Sequence, residues 1–305
     1  MTIAELLESV RRIEVRTNRL VNDTMVGAYL SHFKGRGMDF EELREYMPGD
    51  EVRDIDWNVT YRMGRPFVKR YREERELTMV LAVDVSASSA FGSLRRTKRQ
   101  FAAEIAGTLA ISAARSSDKV ALLLFTDQVE LFLPPRKGRR HILRLIREML
   151  GFEPKHRGTH IPAALGFLNR VLNRRSIVFL LTDFLHSFGS PSPQPGAGRG
   201  TVEEIGLTNA RHDVVCLHLH DPRESTLPAA GLLTIEDAET GELLEVDSSR
   251  AAVRDKFANT NAERLAELDR AFRRAGIDTL RFSTAEPFAQ TLQAFFETRR
   301  GRRRG

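Results

Sequence analysis

The residues best suited to chemistry in this 305-residue chain are oxygen-bearing side chains in three short runs. Asp84-Val85-Ser86-Ala87-Ser88 closes a run of strand composition, Arg157-Gly158-Thr159 stands just before a helical segment, and Thr182-Asp183 ends a later apolar run. Ligand sites of open α/β sheets gather at the carboxyl ends of strands, so each run falls at a junction where a functional loop belongs. Asp84, Ser86, Ser88, Thr159 and Asp183 together offer three hydroxyls and two carboxylates. Such a set suits a hard, octahedral cation that takes oxygen donors and retains bound water. Mg²⁺ is the expected ion, and Mn²⁺ or Ca²⁺ can take the same ligands. Ser86, Ser88 and Thr159 are expected to bind directly, with Asp84 and Asp183 acting mainly through water and orienting the inner ligands. Hydroxyls are neutral, so the ion keeps much of its charge, and an Asp or Glu from a partner would complete its shell. The alternative is that the two serines cap the following helix while the carboxylates satisfy backbone donors. Because the five side chains are read as exposed at strand ends, substituting them is expected to leave folding largely intact.

Other chemistries find less support. A phosphohydrolase of the haloacid dehalogenase type needs Asp-x-Asp at the first strand end, and Ser86 occupies the second acidic position. No GxxxxGK[ST] phosphate loop and no G-x-S-x-G elbow occurs. His218 and His220 alternate on one face of an expected strand, but they, His156, His160 and His212 include no third ligand of matching spacing. Cys216 is the only cysteine, which excludes an intrachain disulfide and fits a reducing, cytoplasmic setting. No stretch approaches the ~20 apolar residues needed to span a bilayer. The formal net charge is +6, but part of the excess lies in the arginines from Arg299 to Arg304, so the segment 299–305 is expected to be a solvated, disordered basic tail and no nucleic-acid partner is expected.

The elements that must position the site begin at Thr78. Strands are expected at LTMVLAVDV, at Val120–Phe125, at the antiparallel VELFLPP from Val129, at IVFLLTD from Ile177, at DVVCLHL from Asp213 and around Thr279–Phe282. Between them, apolar residues recur at helical spacing. Phe101, Ile105 and Leu109 mark a helix over about 93–115; Ile142, Leu145, Ile146, Met149 and Leu150 mark a second; Leu165, Leu168, Val171 and Leu172 mark a third. Val253, Phe257, Leu265, Leu268 and Phe272 predict another, with Ser248 as N-cap and Gly276 as stop, and Phe288, Leu292, Phe295 and Phe296 a last one. LLTIEDAETGELLEVD reads as a hairpin turning near Thr240 and Gly241. The Gly-, Pro- and Ser-rich stretch from His186 to Gly200 is expected to be a mobile loop overhanging the site and a candidate partner-specificity element. The alternation predicts an α/β fold, a mostly parallel sheet with helices on both faces, over residues 78–298. Residues 1–77 are expected to form an amphipathic helix, with Ile3, Leu6, Val10 and Ile13 on one side, and a small polar β-containing subdomain. There Arg44, Tyr46, Asp50, Arg53, Asp54, Asp56 and Trp57 are read as a salt-bridged element, with a docking surface as the next reading.

This ordered set of motifs on this strand pattern looks like a von Willebrand factor A domain with an intact metal-ion-dependent adhesion site. GRGMDFEELREYMPGDEVRDIDWNVTYRMGRPFVKRYREERE and LAVDVSASSAFG closely resemble domain-of-unknown-function family 58, over roughly residues 30–185. One departure is Ser89, where such motifs often have Met; it is not a ligand position. The resemblance implies a MoxR-type AAA ATPase as partner, in chaperone-like assembly or activation of other proteins, and a client supplying an acidic residue to the metal. The expected function is therefore a divalent-metal-dependent protein-binding module and not an enzyme. The alternative is a metal-dependent phosphohydrolase or esterase using the same residues.

Overall fold

The computed structural model describes residues 5, 8, 10–15, 39–72, 77–94, 96–185 and 200–302. Its strands are β1 (Asp39–Glu45), β2 (Phe67–Arg72), β3 (Thr78–Asp84), β4 (Lys119–Phe125), β5 (Val129–Arg136), β6 (Ile177–Thr182), β7 (Asp213–His220), β8 (Leu232–Glu236), β9 (Leu243–Asp247) and β10 (Asp278–Ser283). Its helices are α1 (Trp57–Met63), α2 (Lys98–Arg115), α3 (Arg139–Gly151), α4 (Ile161–Val171), α5 (Thr201–Arg211), α6 (Pro222–Ser225), α7 (Ala251–Arg274) and α8 (Ala289–Arg302). Six strands form the central sheet in the order β10-β7-β6-β3-β4-β5, all parallel except the edge strand β5.

Strand alternation sends side chains to two separate cores. Met79, Leu81 and Val83 face a layer built from α2, α3 and α8, together with Val10 and Ile13 of the N-terminal helical turn. Val80 and Ala82 face α4, α5 and α7 through Leu165, Leu168, Ile205, Leu268 and Phe272. This is why β6 reads Ile-Val-Phe-Leu-Leu without a polar break: both of its faces are covered. Each large side chain so buried contributes roughly 1.5–3 kcal/mol. Cys216 lies in the second core, where burial, reinforced by the charge of Asp278, pushes its thiol up and leaves it unreactive.

The elements differ from the sequence expectation at four places. The helix expected from about residue 93 begins at Lys98, where Thr97 and Gln100 form a capping box; Ala87–Ala90 is instead a separate 3₁₀ turn. Ser248 is not the cap of α7, which starts after Arg250; its hydroxyl donates to Gly231 O and accepts from Ala230 N, tying down the base of the hairpin. Helix α5 was not anticipated, because only Ile205 and Thr208 of its polar sequence are buried and the apolar period is too short to register. The expected loop 186–199 lies outside the described residues. Helix α8 runs on to Arg302, into the segment 299–305 expected to be a disordered basic tail.

The segment preceding β3 pairs β1 with β2 in an antiparallel ribbon, with α1 between them. Its charged residues hold it together. Arg44 forks onto both carboxylate oxygens of Asp50 at 2.9 and 2.6 Å, Arg65 meets Glu45 at 2.6 Å, and Asp56 caps α1. Trp57 and Tyr61 remain exposed.

Candidate metal centre

The carboxyl ends of β3 and β6 lie side by side, because these strands are parallel neighbours in register from Met79 opposite Ile177 to Val83 opposite Leu181. Asp84 and the Thr182-Asp183 pair therefore meet although far apart in sequence. A backbone bond from Ala87 N to Arg157 O, at 3.0 Å, brings the loop before α4 against the turn after β3.

All five expected residues fall in one hydrogen-bonded network. Asp84 accepts from the Ser86 amide at 2.9 Å and from the Thr182 hydroxyl at 2.7 Å, with Thr159 Oγ1 at 3.5 Å. The Ser86 and Ser88 hydroxyls lie 3.1 Å apart, and Ser88 donates to Asp183 Oδ2 at 2.7 Å. Asp183 Oδ1 accepts from Leu185 N at 3.1 Å. Neither serine serves as the cap of α2: Ser86 makes no side-chain cap, and Thr97 performs that task. That outcome removes the helix-cap half of the alternative, while its other half is seen: Asp84 and Asp183 each accept a backbone amide.

Burial differs from the expectation of an exposed site. Asp84, Ser86, Ser88 and Asp183 are all at most 6% exposed, and Thr159 is half-buried. Substitutions there therefore disturb packed, hydrogen-bonded groups, and folding is not indifferent to them.

Lys98, which no motif singled out, reaches into the same network from the first turn of α2. Its ammonium, 2% exposed, lies 2.6 Å from Asp183 Oδ2 and also pairs with Glu224 Oε1. Glu224 is set by the capping box of α6, where its other oxygen accepts from the Asp221 amide at 2.9 Å. Burial works against the lysine charge, but Asp183 and Glu224 outweigh it and hold the ammonium above its usual pKa. Burial likewise opposes the Asp183 charge; Lys98 outweighs it and holds that carboxyl low. Glu224 is raised, because burial exceeds the pull of Lys98.

Asp84 is in a different position. Burial, and then the charge of Asp183, push its carboxyl up to about 6, against the favourable bonds from Thr182 and Ser86. Its donors are neutral hydroxyls and an amide, and among the described residues no cation lies within ion-pair reach of it. A buried carboxylate without a countercharge is costly, and a cation seated on the neighbouring hydroxyls would supply one. The spacing fits: Mg²⁺–oxygen bonds of ~2.0–2.1 Å put neighbouring octahedral ligands about 3 Å apart. The serine hydroxyls already have that separation. Among the described residues no three His, Cys, Asp or Glu side chains gather at one point, so the donors here are mainly hydroxyls. His218 is buried and packs edge-on against Phe184, with His220 beside it, and among the described residues no third ligand joins them.

The fold and this strand-end site define an α/β protein built on a mostly parallel sheet with its polar cluster at the carboxyl ends of the strands. The chain belongs to the family described as protein of unknown function DUF58, whose model matches residues 42–267. It is 30% identical over 299 residues to an uncharacterized protein of Mycobacterium tuberculosis, covering 97% of this chain and 90% of that one. It is 32% identical over 146 residues to the magnesium-chelatase 60 kDa subunit of Cereibacter sphaeroides, covering 46% of this chain and 24% of that subunit. Among solved structures it is similar to an aerotolerance-related membrane protein from Bacteroides fragilis, at 15% identity and a TM-score of 0.46, covering 74% of this chain and 99% of that one. No helix among the described residues is long and apolar enough to cross a membrane.

Proposed function

We propose that this chain is a divalent-metal-dependent protein-binding module of von Willebrand factor A-like architecture, which captures an acidic side chain of a client. The observation that carries the reading is Asp84, a buried carboxylate that has neutral hydrogen-bond donors, no cationic partner among the described residues, and hydroxyls beside it at ligand spacing. Ser86, Ser88 and Thr159 would hold Mg²⁺, while Asp84 and Asp183 would orient bound water and those hydroxyls. When bound, the ion supplies a Lewis-acidic position for a carboxylate oxygen. Lys98 neutralises Asp183 and keeps it fixed, so Asp183 positions Ser88 without adding an unbalanced charge.

The partner in this reading is a MoxR-type AAA ATPase, with the chain acting as its adaptor in assembly or activation of other proteins. The match to a subunit of magnesium chelatase supports a place in a larger assembly. The exposed Trp57 and Tyr61 of α1 supply aromatic anchors of the kind that dominate protein interfaces.

Calorimetric titration of the purified chain with Mn²⁺ tests the metal reading. One site is expected, with affinity reduced on the order of 10- to 100-fold or more in Ser86→Ala. Capture of the ATPase in Mg²⁺ but not in chelator is expected in parallel. Failure of the wild-type chain to bind Mn²⁺ would sink the reading. So would metal-dependent hydrolysis of a phosphate or ester that disappears in Asp84→Ala, which would instead favour the hydrolytic alternative.

A further inference from the structure

The hairpin β8–β9 stands outside the central sheet: among the described residues its two strands pair only with each other, from Leu232 opposite Asp247 to Glu236 opposite Leu243. Its tip is built with care. Asp237 Oδ1 accepts from the amides of Glu239 and Thr240 at 2.9 and 2.8 Å, Gly241 N donates to Asp237 O at 2.8 Å, and Gly241 adopts φ +75°, which glycine tolerates without strain. This turn fixes the backbone of Glu239, and the side chain extends to the candidate metal centre. There Glu239 Oε1 accepts from Thr159 Oγ1 at 2.9 Å, and Thr159 is also 3.5 Å from Asp84. The other carboxylate oxygen lies over Gly158, 3.6 Å from where a Cβ on that residue would stand.

The Thr159–Glu239 separation matches the ~3 Å edge between neighbouring ligands of a hard octahedral ion. It repeats the spacing between Ser86 and Ser88. We propose that Glu239 is the chain's own ligand for this metal, occupying the coordination place that a client's acid would take. The hairpin is then a built-in plug, and client capture is an exchange of one carboxylate for another. In this proposal, displacing the ribbon opens that place, and because its strands belong to a two-stranded sheet of their own, no pairing of the central sheet has to break. This inference rests on the metal reading above.

The test uses Mn²⁺ as probe with the full-length chain, comparing wild type, Glu239→Gln, Ser86→Ala and Glu242→Gln, the last a hairpin acid control. Affinity is followed by electron paramagnetic resonance, and metal-bound water by solvent proton relaxation. Glu239→Gln is expected to bind Mn²⁺ about tenfold more weakly and to show one additional exchanging water per ion, because solvent fills the vacated place. Glu242→Gln should match wild type. If Mn²⁺ binding is lost in Ser86→Ala while Glu239→Gln keeps wild-type affinity and water number, the plug is refuted and the metal centre stands. If wild type itself binds no Mn²⁺, both fall together.

Discussion

Lys98 is the residue on which the site's internal balance turns. Its ammonium is the countercharge for the buried Asp183 and the half-buried Glu224, and removing one member of such a group leaves the others uncompensated. Lys98→Met should therefore cost about 3–5 kcal/mol in urea unfolding; a loss below about 1 kcal/mol would mean that Asp183 and Glu224 find another way to shed charge. His218 sets a pH dependence of its own. Burial, with the charges of His220 and Arg281 added, lowers it from 6.5 to about 3, so the folded chain keeps it neutral while the unfolded chain protonates it. The unfolded state then binds more protons between those values, and stability is lost as pH falls from 6.5 toward 3. The slope is up to about 1.4 kcal/mol per pH unit. Asp84 acts in the opposite sense: raised from 3.8 to about 6, its contribution is full below 3.8 and is lost as pH rises through 6. Comparing unfolding of wild type and His218→Leu at pH 6.5 and 5 separates the two, because only the histidine term disappears in the variant. Equal slopes in both proteins would contradict the assignment. Asp84, Ser86, Ser88, Thr159 and Asp183 were legible as candidates because they occur in ordered short motifs. Lys98 and Glu224 were not, since a lone lysine near a helix start looks like an ordinary solvated charge until its partners are seen.

At the scale of elements, the start of α2 decides where Lys98 sits. The Thr97–Gln100 capping box satisfies amide donors that the helix would otherwise leave bare, and it fixes the first turn that carries the lysine. Thr97→Ala should lower stability by about 0.5–2 kcal/mol, read by the denaturation midpoint. It should also weaken Mn²⁺ binding modestly if the lysine's placement matters to Asp183. An unchanged midpoint would show that α2 is held by its buried face alone. The helix was legible from Phe101, Ile105 and Leu109, but its first residue was not, because apolar period says nothing about caps. Strands β3, β4, β6 and β7 were legible for a plain reason: their apolar runs are short, nearly unbroken and bounded by polar junctions. Helix α5 escaped because its few apolar residues leave no period to detect.

For the whole molecule, metal binding by the native state alone must appear as added stability. At Mg²⁺ concentrations about 100 times the dissociation constant, the gain is about 2.7 kcal/mol, seen as a raised melting temperature that chelator reverses and Ser86→Ala lacks. A melting temperature indifferent to Mg²⁺ in the wild-type chain would count against the metal centre. The sequence by itself determined the α/β alternation, the strand ends that carry polar residues, and the oxygen character of the donor set, because periodicity and local motif are properties of neighbouring residues. Only the tertiary structure decided which strands stand side by side, and with them that Asp84 lacks a cationic partner among the described residues, that Lys98 takes Asp183, and that Glu239 arrives from the hairpin. Those are contacts between residues distant along the chain, made when the sheet closes its order and buries both faces, and no local spacing encodes them.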